Sequence, residues 1–163
     1  MIYILEGTIF IDNVESFLDK IKKISKEKNI TIQVLDADKL AGKEHIKFAV
    51  EKAMNSFKTG TNIANDLAKE IMLYASGTRQ ISKAIRLGIH KGENNIALVA
   101  VGEEADLSAF NEIKPKPVLE YNESKKEAVM EVFNITDEEI EAVGKEKIPE
   151  LVLERVALVD VIK

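Results

Sequence analysis

The 163-residue chain has no cysteine and no tryptophan. Without a thiol there can be no disulfide, no thiolate metal site and no cysteine nucleophile, a pattern that suits a reducing compartment. Only two histidines occur, His45 and His90, and neither is spaced with a second ligand as a metal site requires. No run of 18 apolar residues exists, and Glu6 interrupts the apolar start Met1–Leu5 with no basic segment before it. The expectation is therefore no signal peptide, no membrane span and a cytoplasmic protein. Three prolines and eight glycines are scattered, with no linker-like stretch and no internal repeat, so residues 1–163 read as a single domain.

What is present is a 45% hydrophobic, 31% charged chain of net charge −5, long enough to bury a core without staples. The charge is uneven. Residues 1–92 hold 15 Lys and Arg against 11 Asp and Glu, and residues 93–163 hold 8 against 17. Two different surfaces are implied, one able to meet an anion and one not. Any single charge among them is more simply a solvated side chain.

Periodicity outlines the elements. Ile2–Ile11 is β-branched and apolar, a strand or bent pair with Gly7 as its bulge or bend. Asp12 and Glu15 resemble a capping box before a helix with Val14, Phe17, Leu18, Ile21 and Ile24 on one face. Asn29 is placed to end it in a left-handed cap. A strand over Ile30–Leu35, a loop at Asp36–Asp38, and helices over 43–57 and 63–74 follow. Gly77 and Thr78 then break the last helix and cap a new one over 78–87, with Ile81, Ala84 and Ile85 facing the core. After an Asn94-Asn95 turn, Ile96–Val101 is a continuous apolar strand expected to be buried on both faces. A short helix over 103–111, an edge strand over 118–121 and a helix over 123–133 come next. Thr136 with Glu139 forms a second capping box, and Pro149 opens the last helix. Strands and helices mix without strict alternation. The predicted class is α+β, a small mixed β-sheet covered by several α-helices.

Two stretches point to function. In the first, Ala75-Ser76-Gly77-Thr78-Arg79-Gln80-Ile81, the chain breaks and restarts with Arg79, Lys83 and Arg86 inside about a 60° sector of one helix. A helix start with cations beside it suits phosphate, with Lys58, Thr59 and Asn62 as further candidates. The segment is not a P-loop, because no Gly-Lys-Ser/Thr follows a glycine-rich loop. It is not a dinucleotide fingerprint either, because a helix precedes it. The second stretch is the terminal helix, 149–163. Val152, Val156 and Val159 form one stripe and Leu151, Leu158 and Ile162 another, with Arg155 between them. A helix apolar all round must be buried all round. It lies in the core, pairs as a strand, or meets a partner, and the expectation is a partner interface through Leu151, Arg155, Leu158 and Ile162. Catalytic machinery is thin. Ser76 lacks a nucleophile-elbow context, and His90 beside the basic helix is the one candidate acid or base. Aromatics, at 6%, are too few for an array of base-stacking platforms, though one or two suffice for a single-stranded end.

The pieces Ala75-Ser-Gly-Thr-Arg-Gln-Ile81, Ala84-Ile85, Gly88-Ile89, the strand Ile96–Val101 and Glu154-Arg155-Val-Ala-Leu158, in that order, resemble the small regulatory subunit of the KEOPS complex, the PRPK-binding protein family. The lysine- and isoleucine-rich composition resembles archaeal members. The resemblance implies a non-catalytic protein without a cofactor. It implies binding and activation of the small atypical kinase/ATPase of a complex that makes threonylcarbamoyladenosine in tRNA. It further implies a hold on the tRNA 3′ CCA end. The family motif covers Ser76, Gly77, Thr78, Arg79, Gln80 and Ile81; Lys83 and Arg86 join the RNA-binding set by helical spacing alone. The reading from another class is a small enzyme acting on a phosphorylated metabolite, with His90 as its acid or base.

Overall fold

A computed structural model describes residues 1–161. Their contacts group into two compact units, each assembled from two segments: residues 1–37 with 88–118, and residues 38–87 with 119–161.

The first unit is the sheet. Strands β1 (Ile2–Ile11), β2 (Thr31–Asp36), β3 (Gly92–Val101) and β4 (Lys114–Pro115) lie in the order β2-β3-β1-β4. The α+β class is as expected. Every hydrogen-bonded pair is antiparallel, with Ile2 opposite Val101 and Ile32 opposite Ala100. The sheet is therefore antiparallel and not mixed as expected: among the described residues no parallel pair arises, because β3 comes to lie between β1 and β2. Helix α1 (Val14–Lys28) carries Phe17, Ile21 and Ile24 into one core with Ile9, Ile11, Ile32, Val34, Ile96, Leu98 and Ala100. These strand positions alternate, as one face of a pleat requires. Ala97 and Val99 on the opposite face are buried as well, so the apolar run of β3 is covered on both sides.

Local signals explain the boundaries, and some correct the sequence reading. The cap of α1 is Asn13, whose side chain accepts from the Ser16 amide at 3.0 Å; Asp12 is not the cap. Asn29 ends the helix at φ 52°, as expected. Gly7 is no bulge: it sits in regular register opposite Ile96 and Pro115. A Cβ there would stand 2.2 Å from the Lys114 carbonyl oxygen, so glycine is required by the close approach of β4. The edge strand is Lys114–Pro115 and not 118–121, and its proline is tolerated because an edge strand has one unpaired side. Asn94 is buried inside β3, where its amide binds the carbonyls of His90 and Gly92. The helix expected over 103–111 is only a 3-10 turn, Ser108–Phe110. Asp106 captures the Ser108 amide, and the buried Phe110 meets Phe17 edge to face at 6.3 Å.

The second unit is helical: α2 (Lys43–Thr59), α3 (Leu67–Ser76), α4 (Ile81–Ala84), α5 (Lys126–Phe133), α6 (Asp137–Val143) and α7 (Ile148–Leu158). Its core includes Ile46, Ala49, Val50, Ala53, Ile71, Leu73, Tyr74, Val129, Phe133, Val152 and Val156. Helix α3 starts at Leu67 and not at Ile63. Glu70 is fully buried and accepts from the amides of Ile63 and Ala64 and from the Ser56 hydroxyl, and so holds residues 63–64 as a loop. Asp66 is the actual cap, accepting from the Lys69 amide at 2.8 Å. The Thr136–Glu139 capping box is present in both directions, and Pro149 stands in the first turn of α7.

Candidate functional site

The break at Ser76–Thr78 is built from the backbone upward. Gly77 adopts φ 69°, its amide donates to the Tyr74 carbonyl, and the Thr78 amide donates to the Leu73 carbonyl, both at 3.1 Å. This pair of bonds is the Schellman stop, which satisfies helix carbonyls that would otherwise be orphaned. Ser76 is buried, with its hydroxyl donating to Met72 and Leu73 carbonyls of its own helix. Its side chain therefore serves the end of α3.

Thr78 does not cap a helix. Its Oγ1 accepts from the Gln80 amide at 3.1 Å, closing a tight turn. The helix beyond is one turn, Ile81–Ala84, followed by a 3-10 turn over Ile85–Leu87. The segment predicted as one helix over 78–87 is thus a succession of turns. Ala84 and Leu87 are buried, but Ile81 and Ile85 are 46% and 64% exposed, opposite to the expected inward face. Four residues cannot direct three alternate positions to a core as a long helix does.

The three cations separate into two kinds. Neither the Arg79 nor the Lys83 side chain makes an ion pair or hydrogen bond to the described residues; Arg79 is half-buried and Lys83 exposed. Arg86 instead donates from Nε to the Lys83 carbonyl at 3.1 Å and from Nη2 to the Val132 carbonyl at 3.3 Å. It caps the last turn of α5. Lys58, Thr59 and Asn62 precede α3, and Ser76–Thr78 follows it, so the ten-residue helix sets the two groups apart by roughly 15 Å. His90 belongs to the sheet unit, where its Nε2 lies 3.0 Å from the Glu93 carbonyl. Among the described residues, no group of three or more His, Cys, Asp or Glu is placed to hold a metal ion.

The two motif pieces that lie furthest apart in sequence meet in space. A Cβ on Gly77 would stand 3.3 Å from the Arg155 Cβ and 3.4 Å from the Phe133 ring. Arg155 donates from Nε to the Phe133 carbonyl and from Nη2 to the Asn134 carbonyl, both at 3.1 Å, and pairs with Glu139 at 2.6 Å. Glu139 is also the capping-box carboxylate of α6. The guanidinium therefore closes the C-terminus of α5 and fastens the N-terminus of α6. Hydrogen bonding from Arg155 holds the Glu139 carboxyl below the usual carboxylate range. Sequence reasoning placed Arg155 between two stripes; the carbonyls it serves come from another element.

The remaining interface candidates divide. Leu151 is buried with Val152, Val156 and Val159, whereas Leu158 is 42% exposed; Ile162 lies outside the described residues. A residue that sequence reasoning passed over sits at the centre of the unit. His45, fully buried, accepts at Nδ1 from the Ala41 amide at 3.0 Å, so its proton is on Nε2, which donates to the Ala75 carbonyl at 2.8 Å. The Phe133 ring lies edge-on to it at 5.3 Å. Burial lowers its pKa to about 4; the Ala75 hydrogen bond opposes that shift and the nearby Lys125 charge adds to it. The imidazole is thus a neutral brace behind the Ser76–Thr78 turn. The only sequence signal was its place in the apolar register of α2, one residue before Ile46.

The fold is that of an α+β protein whose helical unit carries the candidate site at the end of α3, with no described helix long and apolar enough to cross a membrane. Residues 11–160 match the family described as "Kinase binding protein CGI-121", and the chain belongs to that family. It is similar to the "Regulatory protein Cgi121" of Methanocaldococcus jannaschii, at 34% identity over 137 residues, covering 82% of this chain and 86% of that protein. A shorter match, 38% identical over 61 residues, is to the "KEOPS complex subunit Cgi121" of Pyrococcus abyssi, covering 37% of this chain and 36% of that one.

Proposed function

We propose that this protein is a non-catalytic regulatory subunit of a KEOPS complex. It binds and activates the small atypical kinase/ATPase and recruits tRNA by its 3′ CCA end, in the cytoplasm. Membership of the kinase-binding family and the names of the two archaeal relatives support the subunit role. The observation that carries the RNA part is the corner after α3. There Arg79 and Lys83 have no hydrogen-bond or ion-pair partner among the described residues and lie beside exposed Ile81 and Ile85. Cations free to meet phosphate, next to apolar side chains able to meet a base, suit an unpaired nucleic-acid end. Arg86, Ser76 and the Gly77–Thr78 turn hold this corner in shape, with Gln80 exposed upon it. The competing enzyme reading has less support, because His90 is engaged with the Glu93 carbonyl.

Two phosphate contacts give a salt slope of roughly −1.4 for a single strand, or about a sevenfold loss of affinity between 50 and 200 mM salt. Binding this weak requires avidity from the other subunits. The test compares intact tRNA with tRNA lacking its CCA end, using the wild type and an Arg79→Glu/Lys83→Glu variant. Loss of affinity on trimming the tRNA and on charge reversal is expected. Equal binding of both tRNAs by both proteins at low salt would sink the RNA reading.

A further inference from the structure

The outward face of α1 carries a row of charges with an internal order. Glu15, Asp19, Lys22 and Lys26 follow one another at spacings of four, three and four residues, so all four fall within about a 60° sector of the helix. That sector lies opposite Phe17, Ile21 and Ile24, which α1 buries in the sheet core. All four are exposed, and none of their side chains makes a hydrogen bond or ion pair among the described residues. Two other lysines of the helix do find acids: Lys20 pairs with Glu112 at 2.7 Å and Lys28 with Asp106 at 3.9 Å.

Within one chain the order is unfavourable. Glu15 and Asp19 are like charges one turn apart, and so are Lys22 and Lys26; such pairs destabilise a helix. The helix dipole accounts for an acid in the first turn and a base in the last, which Glu15 and Lys26 supply. It does not account for Asp19 and Lys22, which stand more than a turn from either end. Reversed, however, the row is its own complement. Laid antiparallel on the row of a second copy about a two-fold axis, Glu15 meets Lys26 and Asp19 meets Lys22. Both pairings need the same register, because each acid lies as far from the midpoint of the row as its base. The two-fold axis repeats them, so every charge of both rows is paired. A parallel arrangement in register would set like charge on like.

We propose that the outward face of α1 is a self-association surface, on which a second copy of this chain docks antiparallel through Glu15–Lys26 and Asp19–Lys22 pairs. The contact is weak and salt-sensitive. Exposed ion pairs each contribute little, and Leu18 is the one exposed large apolar side chain of α1. A single helix face is also small beside a standard interface. What the charges set is orientation and register, since like-on-like alternatives are repelled. The proposal uses none of the residues of the cationic corner and rests on neither the tRNA nor the kinase role.

The experiment is sedimentation equilibrium of the full chain at about 20 mM and about 300 mM salt. A concentration-dependent dimer is expected at low salt, weakened at least about fivefold at high salt. Asp19→Lys and Lys22→Glu each turn attractions into repulsions while leaving the helix ends and the buried face unchanged; thermal melts verify that both fold. Each variant alone should dimerise about tenfold more weakly than the wild type. Mixed in equal amounts, the two should associate as the wild type does, because each reversal then faces the other. A helix that was merely destabilised would not give that rescue. The chain has no cysteine, so Glu15→Cys and Lys26→Cys proteins, mixed and oxidised, report the register: the mixed disulfide should exceed either like-with-like product. A wild type that stays monomeric at low salt, a dimer indifferent to salt, reversals without effect or without rescue on mixing, or a dominant Glu15→Cys self-disulfide would each overturn the proposal.

Discussion

Lowering the pH should unfasten the helical unit through His45. The imidazole is held neutral in the fold, with a pKa of about 4 against 6.5 for an unperturbed histidine, chiefly because it is buried. A proton added to Nδ1 would also point at the Ala41 amide, which already donates there, leaving two donors facing each other. The unfolded chain therefore binds more protons than the native one between these two values. The stability from keeping His45 neutral is complete above pH 6.5 and is lost as pH falls toward 4. Integrated from pH 8 to pH 5, the loss is about 2 kcal/mol, rising to about 3 kcal/mol below pH 4. For a chain of this length that lowers Tm by roughly 4–8 °C at pH 5. Denaturant unfolding of wild type and His45→Gln at pH 8, 6 and 5 measures it. Groups common to both proteins cancel in the difference at each pH, so the variant isolates the histidine. His45→Gln should be the less stable protein at pH 8, and the gap should close by about 2 kcal/mol at pH 5. A constant gap across that range, or an imidazole resonance of His45 that titrates near pH 6.5, would refute the reasoning.

Removing the clasp on α5 and α6 should cost comparable stability. Arg155→Met leaves the Phe133 and Asn134 carbonyls and Glu139 without their guanidinium partner, a loss of about 2 kcal/mol in denaturant unfolding. The Glu139 carboxyl, followed by NMR, should then titrate at higher pH than in the wild type, and an unmoved titration would argue that Arg155 is not its main partner. Gly77→Ala forces an alanine into a left-handed conformation against Arg155 and Phe133; a loss of about 1–2 kcal/mol is expected, and a neutral effect would show that the turn is not held as described.

Local chemistry was readable where one residue decides the outcome. Asn29 and Gly77 end their helices in left-handed conformations because Asn and Gly tolerate positive φ. Thr136 and Glu139 close a capping box that needs only four residues. Reading failed where a distant group overrode local preference. Ile63 and Ala64 fit the stripe of α3 but are pulled out by the buried Glu70 carboxylate. Residues 78–87 carry a helical pattern but form turns, which leaves Ile81 and Ile85 exposed. His45 was legible as a histidine without metal-ligand spacing and not as a buried brace, because its partners Ala41 and Ala75 are set by folding. At the candidate site, Arg79, Lys83 and Arg86 are alike in sequence, and among the described residues only Arg86 finds a carbonyl to cap.

By itself the sequence determined the class of the fold, the helix stops at Asn29 and Gly77, the division of charge between a cationic corner and an acidic C-terminal portion, and the absence of thiol chemistry. All of these depend on residue type and on neighbours a few positions away. Tertiary structure alone decided the insertion of β3 between β1 and β2, the meeting of Gly77 with Arg155, and which row of α7 is buried. The physical reason is the same in each case. An apolar side chain, a guanidinium or a carbonyl is indifferent to which partner satisfies it, and the partner is chosen by the packing of segments far apart in the chain.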